Sequence, residues 1–492
     1  MIKISLFLLF LPLIFIRWLR WLAIVQQKEY RWDRLKLFFY THQGQQDFWR
    51  LLPRLSDFSR TGLKRPVRTK RVLLIALLSL GLLAGWAYVI TTAVTVVETL
   101  ILLLIIYHLI PLWIWLATLP TTVLAWLFTF WALKKAARKI TQAQPQIIGL
   151  TGSYGKTSTK LLLAAVLAQK YSVFVTPKSH NTKLSIAQSI NQDFQDQEIA
   201  ILEYAAYTPG EIRLLAKYFP PQLAVITGLT AQHLGLFGSI QQLIQAKAEL
   251  VSAIQDQVFC QAADPGAVEI CQAGQARSQV KSKGKSKAQS YIAYTGKAAK
   301  LKLTQVGLND QGKLYFSWQG RKIQTQLVGK HYLASVQAAI IVAQYLKLSF
   351  QQISQGLIEF KPDSCFIQIR QSQNQVMVID DGQTSNPQGF LAALELAQHF
   401  KTNNKKVVLL TSGIVDLGEQ SNSIHHQLAK QAKTIVDLVL YAGSAGRPEF
   451  AAVFGQKLIS NQAKIKAQLT QLDQHTVLLI EGKITADLLA VI

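Results

Sequence analysis

A glycine-rich turn followed by lysine and threonine is the pattern in this chain that points most directly to chemistry. An apolar strand ending in Leu150 runs into Thr-Gly-Ser-Tyr-Gly (151–155), after which Lys156 and Thr157 open an amphipathic helix. Backbone N–H groups freed by glycine, a helix N-terminus and a lysine together bind phosphate, and a threonine hydroxyl there holds Mg²⁺. The spacing departs from the ordinary P-loop, whose first glycine would stand at Leu150. We predict nucleotide binding by Thr151, Gly152, Ser153, Gly155, Lys156, Thr157 and Ser158.

Polar residues also follow later predicted strands, where α/β proteins place their chemistry. Glu203 closes one strand and is expected to be a Mg²⁺ ligand behind the phosphate loop. His233 follows the next strand and Lys247 lies on the helix after it, although a single histidine is more often structural and a single lysine more often solvated. Asp380 and Asp381 end a later strand, where paired carboxylates either cap a helix or position a substrate.

Composition limits the classes of protein that fit. The chain has 492 residues, enough for two or three domains, and 50% of them are hydrophobic, with the excess in the first 133. Three cysteines (Cys260, Cys271 and Cys365) and no clustered Cys/His spacing predict neither a disulfide framework nor a zinc site, and they fit a reducing cytosol. The net charge of +25 suits nucleic acid or an anionic membrane. Because much of the basic excess lies between hydrophobic segments, we expect anionic membrane lipid as a partner and no nucleic acid.

The first 71 residues are expected to attach to a membrane. Residues 1–25 are predicted to be a retained membrane anchor, because no small-residue cleavage site of a signal peptide follows the apolar run. The run is long enough to span if Arg17 and Arg20 extend their charges to the interface. Residues 26–71 are basic and aromatic, as in amphipathic helices that lie on anionic lipid. A solvated basic linker is the alternative, but it would not carry so many large aromatic side chains.

Residues 72–133 are predicted to form a transmembrane hairpin. The segment is almost uninterruptedly apolar, with the length of two long or three short spans. Basic residues flank it at 64–71 and 134–139, and positive flanks stay cytoplasmic, so the number of crossings should be even. We place the turn between Thr91 and Glu98, with an interfacial third segment as an alternative. This topology predicts a multi-pass protein of the cell membrane whose catalytic domains are cytoplasmic.

Beyond residue 145 the sequence alternates apolar strands with helical stretches, which predicts an α/β fold with doubly wound domains. The basic, low-complexity run 277–288 is predicted to be a mobile surface loop, with a nucleic-acid or lipid contact as the alternative. The predicted strands are 146–150, 199–202, 224–227, 376–379, 407–410, 436–441 and 476–480.

Taken in order, these segments resemble the Mur ligase family, which builds the peptide of peptidoglycan. The resemblance covers about residues 145–492 and is strongest to the member that adds D-alanyl-D-alanine. The motifs that carry it are Gly-Leu-Thr-Gly-Ser-Tyr-Gly-Lys-Thr-Ser (149–158), Ser-His-Asn-Thr-Lys (179–183), Glu203 with Tyr-Thr-Pro-Gly-Glu-Ile (207–212), Ala-Gln-His-Leu-Gly-Leu-Phe-Gly-Ser (231–239) with Lys247, Gly-Lys-His (329–331), Ile-Asp-Asp (379–381) with Asn386-Pro387, and Leu-Gly-Glu-Gln-Ser (417–421) with His425.

The resemblance implies an ATP-dependent amide ligase. In such a protein, N-terminal transmembrane helices would precede a P-loop-type, doubly wound ATP-binding domain at 134–360 and a Rossmann-like C-terminal domain at 361–492. In this family ATP phosphorylates a substrate carboxylate, an amine attacks the acyl phosphate, and phosphate leaves from the tetrahedral intermediate. The implied partners are a cell-wall precursor peptide, UDP-linked or lipid-linked, and D-alanyl-D-alanine or a similar amine. The implied cofactors are ATP and Mg²⁺.

The resemblance also implies which residues collect positive charge at the γ-phosphate. Lys156 would do so together with Mg²⁺ held by Thr157 and Glu203. His233 would bind a second metal, assisted by a carbamate on Lys247, and burial would keep that lysine neutral enough to take up CO₂. Metal binding is therefore assigned to Thr157, Glu203, His233 and Lys247.

Two further regions have implied roles. The family contacts nucleotide or substrate at the positions of Asn181 and Thr182. The C-terminal domain would close over the site, exclude water and contribute Asp381. Catalysis is therefore assigned to Lys156, Lys247, His233 and Asp381.

The chain departs from the family at several positions. Tyr332 and Ser335 stand where asparagines are usual near the adenine, and Cys365 stands where an arginine is expected to touch phosphate. A cysteine cannot replace a guanidinium. Membrane-like sequence also takes the place of the soluble domain that binds the UDP part of the substrate, so the donor is expected to be lipid-linked or to be held by another part of the protein.

These departures leave alternatives open. One is another C–N ligase of the same fold acting on a different carboxylate. A second is a nucleotide-binding membrane scaffold with degenerate catalysis, suggested by Cys365. A membrane transporter ATPase is disfavoured, because the sequence shows neither a second Walker-type signature nor polar residues lining a pathway through the spans.

Overall fold

The computed structural model of the chain contains two compact units, residues 1–131 and 132–492. The residues that it describes are 2–40, 42–50, 65–93, 95–230, 237–281, 291–372, 374–382, 386–401, 405–415, 417 and 420–492.

Helices make up the regular structure described in the first unit. They are α1 (Ile2–Gln27), α2 (Trp32–Tyr40), α3 (His42–Trp49), α4 (Lys70–Ala93) and α5 (Val96–Ala143), whose residues from 132 onward belong to the second unit. Within the described part of the chain, two stretches are long and apolar enough to cross a membrane, Leu8–Gln27 and Val96–Ala143. The 48-residue helix α5 passes through Pro111 and Pro120 without a break. A separate interfacial segment near the second proline is therefore not observed.

Buried polar contacts tie α3 to α1. Arg17 donates hydrogen bonds of 2.7 Å to the carbonyls of Phe48 and Arg50, and Arg20 pairs with Asp47 at 2.7 Å. The expectation that Arg17 and Arg20 extend to a membrane interface is therefore wrong for this fold. Burying an unpaired charge is costly, and partners from α3 and the residue after it satisfy both guanidinium groups inside the unit.

Aromatic side chains of α2 and α3 also pack on α1. The fully buried Trp21 stacks on Phe39, with ring centroids 5.6 Å apart, and meets Phe38 and Phe48 edge-on. The basic aromatic segment thus supplies part of a core, rather than only lying on a surface as expected. Among the described residues of this segment, the rings of Trp32, Tyr40 and Trp49 stay exposed.

A six-stranded parallel sheet organises the first part of the second unit. Its strands are β1 (Gln146–Thr151), β2 (Val173–Val175), β3 (Ile199–Glu203), β4 (Leu223–Ile226), β5 (Gln257–Cys260) and β6 (Ile292–Ala293). Their order is β2-β3-β1-β4-β5-β6, so β1 is central and hydrogen-bonds to both β3 and β4. The carboxyl ends of parallel strands lie at one edge, so the residues that follow β1, β3 and β4 are brought together there.

Helices and a small antiparallel sheet complete this part. The helices are α6 (Lys156–Leu167), α7 (Lys183–Asp193), α8 (Glu211–Tyr218), α9 (Ile240–Val251), α10 (Pro265–Lys281), α11 (Leu333–Tyr345) and α12 (Phe350–Glu359). The antiparallel strands are β7 (Thr304–Leu308), β8 (Lys313–Trp318) and β9 (Arg321–Val328). Leu163 of α6, Val336 of α11 and Ile353 of α12 share one apolar core, which fixes the helix that follows the phosphate loop.

A second six-stranded sheet forms the C-terminal part, in the order β10-β11-β15-β12-β13-β14. Its strands are β10 (Gln368–Gln371), β11 (Met377–Asp381), β12 (Lys406–Thr411), β13 (Leu438–Tyr441), β14 (Leu458–Ile459) and β15 (Thr476–Glu481). All neighbours are parallel except β10 and β11. The helices are α13 (Pro387–Phe400), α14 (Ser421–Lys433), α15 (Arg447–Phe454), α16 (Gln462–Thr470) and α17 (Ala486–Leu489).

All seven predicted strands are present, with ends that differ by one or two residues. The prediction missed β2, β6 and β14, which have only two or three residues, and also missed β5, β10 and the antiparallel strands. In the basic run 277–288, the expectation of a loop is wrong for 277–281, which extend α10 as helix. The rest of that run lies outside the described residues.

Candidate active site at the phosphate loop

The turn between β1 and α6 has a backbone that requires glycine at two positions. Gly152 has φ +149°, and a Cβ there would come within 2.0 Å of the Thr227 hydroxyl oxygen. Gly155 has φ +75° and is the N-cap of α6. A left-handed conformation favours glycine, and the N–H groups of the first turn of any α-helix have no intrahelical partners. The turn is therefore built as an anion-binding helix start.

Residues that follow β4 hold the turn in place. Ser153 N–H donates to the Gly228 carbonyl at 2.7 Å, and the Thr227 hydroxyl donates to the Tyr154 carbonyl at 2.7 Å. The Tyr154 hydroxyl donates to Asp264 at 2.8 Å, which links the turn to the start of α10. The phosphate loop is therefore preorganised by its neighbours. Less conformational entropy is then lost when a ligand binds.

Two lysines meet at one carbonyl of the turn. Lys156 Nζ and Lys247 Nζ donate to the Gly152 carbonyl oxygen at 2.9 and 2.7 Å. Burial lowers the pKa of Lys156, and the Glu203 carboxylate opposes that shift. Burial, reinforced by the charge of Lys156, lowers the pKa of Lys247 well below its usual range. The structure therefore places Lys247 of α9 beside the phosphate loop, although it lies 91 residues after Lys156 in the sequence.

Glu203 is completely buried at the end of β3 and pairs with a lysine that sequence reasoning missed. Lys160 Nζ lies 2.8 Å from Glu203 Oε1 and also donates to the Thr176 carbonyl at 2.7 Å. Lys160 is fully buried one helical turn after Lys156. That spacing of four residues on a helix was the available signal for its proximity to the same strand edge.

The residues present fit a divalent cation. Glu203 Oε2 is buried and has no hydrogen-bond partner within the described part of the chain. Thr157 and Ser158 lie half-buried in the first turn of α6. A carboxylate and a hydroxyl are oxygen ligands of the type that Mg²⁺ takes beside nucleotide phosphates. His233, predicted as a metal ligand, lies outside the described residues, and those described contain no cluster of three or more His, Cys, Asp or Glu side chains.

Asn181 and Thr182, predicted to contact nucleotide, lie at the start of α7. The Thr182 hydroxyl caps this helix by accepting from the Ser185 N–H, and the Ser185 hydroxyl reciprocates at the Thr182 N–H. A capping box of this kind stabilises the helix start. The Thr182 hydroxyl is therefore already engaged, whereas Asn181 precedes the cap and is half-buried.

Two of the departures from the family pattern, Tyr332 and Ser335, make hydrogen bonds, and the third, Cys365, lies near lysine side chains. The Tyr332 hydroxyl accepts from the Ile367 N–H at 3.0 Å, and the Ser335 hydroxyl bonds to Thr159 of α6 at 2.9 Å. Cys365 is half-buried; burial raises the pKa of its thiol, and the charges of Lys160 and Lys178 partly offset that shift. Cationic charge therefore lies near Cys365, where the family pattern would have an arginine.

Asp381 lies in the second sheet beside an acid that sequence reasoning also missed. It ends β11 directly opposite Glu481, the last residue of β15, and both side chains are buried. Burial, together with the charge of Asp381 and a hydrogen bond to it, raises the pKa of Glu481 well above its usual range. The fold therefore favours the protonated form of Glu481 beside the Asp381 carboxyl group.

Comparison with known families identifies one domain. A family model described as Mur ligase middle domain matches residues 150–343. UDP-N-acetylmuramoyl-tripeptide--D-alanyl-D-alanine ligase of Bacillus subtilis is 26% identical over 303 residues, which are 61% of this chain and 63% of that protein. The protein of the same name from Synechocystis is 28% identical over 289 residues, 59% of this chain and 60% of that protein. This chain thus spans less than two thirds of the length of these relatives.

Solved structures show the fold. A crystal structure of MurF from Acinetobacter baumannii matches with a TM-score of 0.63 and 24% identity, over 74% of this chain and 80% of that one. MurF from Thermotoga maritima in complex with ADP matches with a TM-score of 0.58 and 23% identity, over 72% and 80%. The resemblance and the α/β fold with parallel sheets are confirmed. The transmembrane part of the predicted fold class stays a prediction.

Proposed function

We propose that this chain, whose residues 150–343 belong to the Mur ligase family, is an ATP-dependent amide ligase of peptidoglycan precursor synthesis. The observation that carries the proposal is the meeting of Lys156 and Lys247 at the Gly152 carbonyl, next to the buried Glu203. A triphosphate and a carboxylate repel each other, so a ligase must collect cationic groups where they meet. The relatives' name supports D-alanyl-D-alanine as the incoming amine.

The phosphate loop would bind ATP through its backbone and through Lys156. The N–H groups at the start of α6 would donate to the phosphates, and the helix dipole would add positive potential. In the structure Lys156 donates to two carbonyls of the loop, those of Gly152 and Ser153. On binding, γ-phosphate oxygens would replace these carbonyls as partners of the ammonium group. Bound Mg²⁺, held by Thr157 and Glu203, would neutralise charge on the phosphates.

Lys247 is proposed to carry a carbamate. Its neutral amine would add to CO₂, forming one N–C bond and releasing one proton. The lowered pKa increases the fraction of Lys247 that is a neutral amine. The anion formed would then face the ammonium of Lys156 instead of a second cation, which removes the repulsion between the two lysines. His233 is proposed to bind metal with this carbamate.

Asp381, Asn181 and Thr182 are proposed to position the other reactants. Asp381 belongs to the C-terminal sheet, and Tyr332 hydrogen-bonds across to the chain segment that leads into that sheet. A carboxylate there suits an incoming ammonium group, which must be oriented and must lose protons as the amide forms. Asn181 and Thr182, at the α7 start, are proposed to contact nucleotide or donor.

The location is proposed to be the cell membrane, with the catalytic domains in the cytoplasm. Support comes from the two apolar helical stretches and from the surplus of cationic residues between positions 17 and 71. Anionic lipid is the proposed partner of that basic segment. The donor is then a precursor peptide in UDP-linked or lipid-linked form.

Release of ADP tests the reaction. Purified full-length protein is incubated with ATP, Mg²⁺ and the UDP-linked or the lipid-linked muramoyl tripeptide, with and without D-alanyl-D-alanine. The proposal predicts ADP release that requires both the tripeptide and the amine. Turnover with other carboxylate and amine pairs only would favour a different C–N ligase of the same fold. Equal turnover of both donors would count against a preference for the lipid-linked form.

A nucleotide-binding scaffold is the second candidate, favoured by Cys365 in place of the expected arginine. Such a protein would bind ATP and release no ADP in response to any donor and amine. Replacing Cys365 by arginine distinguishes the two readings. If the nearby Lys160 and Lys178 supply the missing charge, Cys365→Arg changes turnover by less than about tenfold, whereas restoration of activity from none would identify a degenerate site.

A further inference from the structure

A cavity in the first unit is shaped for a hydrocarbon chain. It lies between α1, α4 and α5, with a volume of about 580 Å³, within the range of about 300–1,000 Å³ typical of small-molecule sites. Apolar side chains dominate its lining. Among them are Ile14, Trp18, Leu83, Ala84, Leu103 and Ile106.

The floor of the cavity is a packed structure rather than a gap between loose helices. Ile14, Trp18, Leu103 and Ile106 are all at most 6% exposed. The indole N–H of Trp18 donates to the Ser79 hydroxyl at 2.9 Å, and this buried bond fixes α1 against α4. A polar bond between otherwise apolar walls favours one arrangement of the helices, because breaking it would leave the buried indole N–H of Trp18 without this partner, whereas the Ser79 hydroxyl also donates to the Ala76 carbonyl.

Positive charge lies at one end of the same helices. Arg65, Arg68 and Lys70 are exposed just before and at the start of α4. Leu80 at the cavity lies nine positions after Arg71 on α4, which is about 14 Å along the helix axis. Half of a bilayer's hydrocarbon core is about 15 Å thick.

We propose that this cavity binds the hydrocarbon chain of a lipid diphosphate, the lipid-linked form of the donor, with the diphosphate at the basic start of α4. The proposal rests on the ligase function and membrane location proposed above. The distances match a chain that begins at the interface and ends near the middle of the membrane. A diphosphate group has the charge that the cationic end requires, and one cavity of this size suits a single chain. The helices of the first unit would then hold a membrane-bound donor for the ligase domain of the same protein.

Photolabelling of the full-length protein in detergent micelles tests the site. The probe is a polyprenyl diphosphate whose extended chain is about 15 Å long, half the thickness of the hydrocarbon core, with a diazirine at the far end of that chain. We expect labelled peptides from residues 11–18, 80–84 and 103–106. Unlabelled polyprenyl diphosphate should compete, whereas the same excess of phosphatidylglycerol should not. Labelling spread over all exposed apolar helix faces, or equal competition by phosphatidylglycerol, would overturn the proposal in favour of ordinary lipid contact.

Two tryptophan variants on α4 form a matched pair. Leu80 lines the cavity and Leu82 does not, and the two are similarly exposed, at 43% and 39%. Leu80→Trp should reduce labelling by on the order of tenfold or more, as occlusion of an apolar site does, and Leu82→Trp should leave it unchanged. If Leu80→Trp fails to fold, Ala84→Trp serves instead. Equal labelling of the cavity and control variants contradicts the site.

Charge reversal tests the head-group end. Arg68→Glu combined with Lys70→Glu should reduce photolabelling by the diphosphate probe roughly tenfold. Photolabelling by the uncharged polyprenol that carries the same diazirine should not change. Loss of both probes, or of neither, contradicts the placement of the diphosphate. Binding is measured without ATP, so a protein that labels as expected but releases no ADP would refute the ligase function and leave this site standing.

Discussion

The two parallel sheets of the second unit place buried charge at their strand ends in opposite ways. In the first sheet, Glu203 at the end of β3 is paired with Lys160, and two further lysines meet beside it. In the second, Asp381 and Glu481 end neighbouring strands with like charge. The first arrangement has a cationic surplus suited to a polyanion. In the second, the raised pKa of Glu481 favours its protonated form, which lowers the repulsion between the two acids. The same topology thus places a surplus of lysines, which a ligand's negative charge would balance, at the first sheet and a pair of neighbouring acids at the second.

The largest expected effect is at Lys156. Lys156→Ala removes the ammonium that would meet the γ-phosphate, and one such group is worth about 10²–10³ in turnover. Substrate-dependent ADP release should fall by at least that factor, with the melting temperature nearly unchanged. Lys464→Ala, on the exposed side of α16, is the matched control. Unaltered turnover in Lys156→Ala would remove this residue from the mechanism.

The second-largest loss of activity is expected at Lys247. Lys247→Ala should lose on the order of 10²-fold in ADP release, and short-chain carboxylic acids should restore part of it by supplying the anion of the proposed carbamate. Lys247→Arg keeps a positive charge, cannot form a carbamate and leaves no space for the acid. Its activity should be low and should not respond to acetate. Equal rescue of both variants, or of neither, would contradict the carbamate.

The ion pair between Lys160 and Glu203 should contribute mainly to the stability of the folded protein rather than to ATP binding. Lys160→Met leaves a buried carboxylate without its cation, which costs about 3–5 kcal/mol of the free energy of unfolding. Lys160→Met combined with Glu203→Gln should recover much of that loss, because neither charge is then buried alone. Urea unfolding of both proteins measures the difference. A double variant as unstable as the single one would show that the pair does not act as a unit.

The smallest effect is expected at Glu481. Its pKa is raised in the folded state, so its stabilising contribution is present below its ordinary pKa of 4.5 and is lost as the pH rises through the folded value. Glu481→Gln removes this dependence. Relative to the unaltered protein, the variant should therefore gain stability as the pH rises above about 4.5. Melting temperatures of both proteins between pH 5 and pH 8 measure this difference in stability. Curves that run parallel over this range would contradict the raised pKa of Glu481.

The sequence allowed prediction of the parts whose signals are local. Strands such as β1 and β12 are continuous apolar runs, and the glycines at 152 and 155 mark the phosphate turn because the backbone there needs them. Two- and three-residue strands have no periodicity to detect. Lys160 and Glu481 were missed because their partners are distant in sequence: burial and pairing across a sheet edge depend on tertiary structure, and a single charged residue carries no sign of either.

Isotope transfer between substrate and phosphate tests the central claim most directly. The terminal carboxylate of the muramoyl tripeptide is labelled with ¹⁸O and incubated with the full-length protein, ATP, Mg²⁺ and D-alanyl-D-alanine. Because an acyl phosphate forms through a carboxylate oxygen and then releases phosphate, one ¹⁸O should appear in each inorganic phosphate, and Lys156→Ala should abolish the transfer. Phosphate released without ¹⁸O, at a rate independent of peptide and amine, would contradict the ligase assignment.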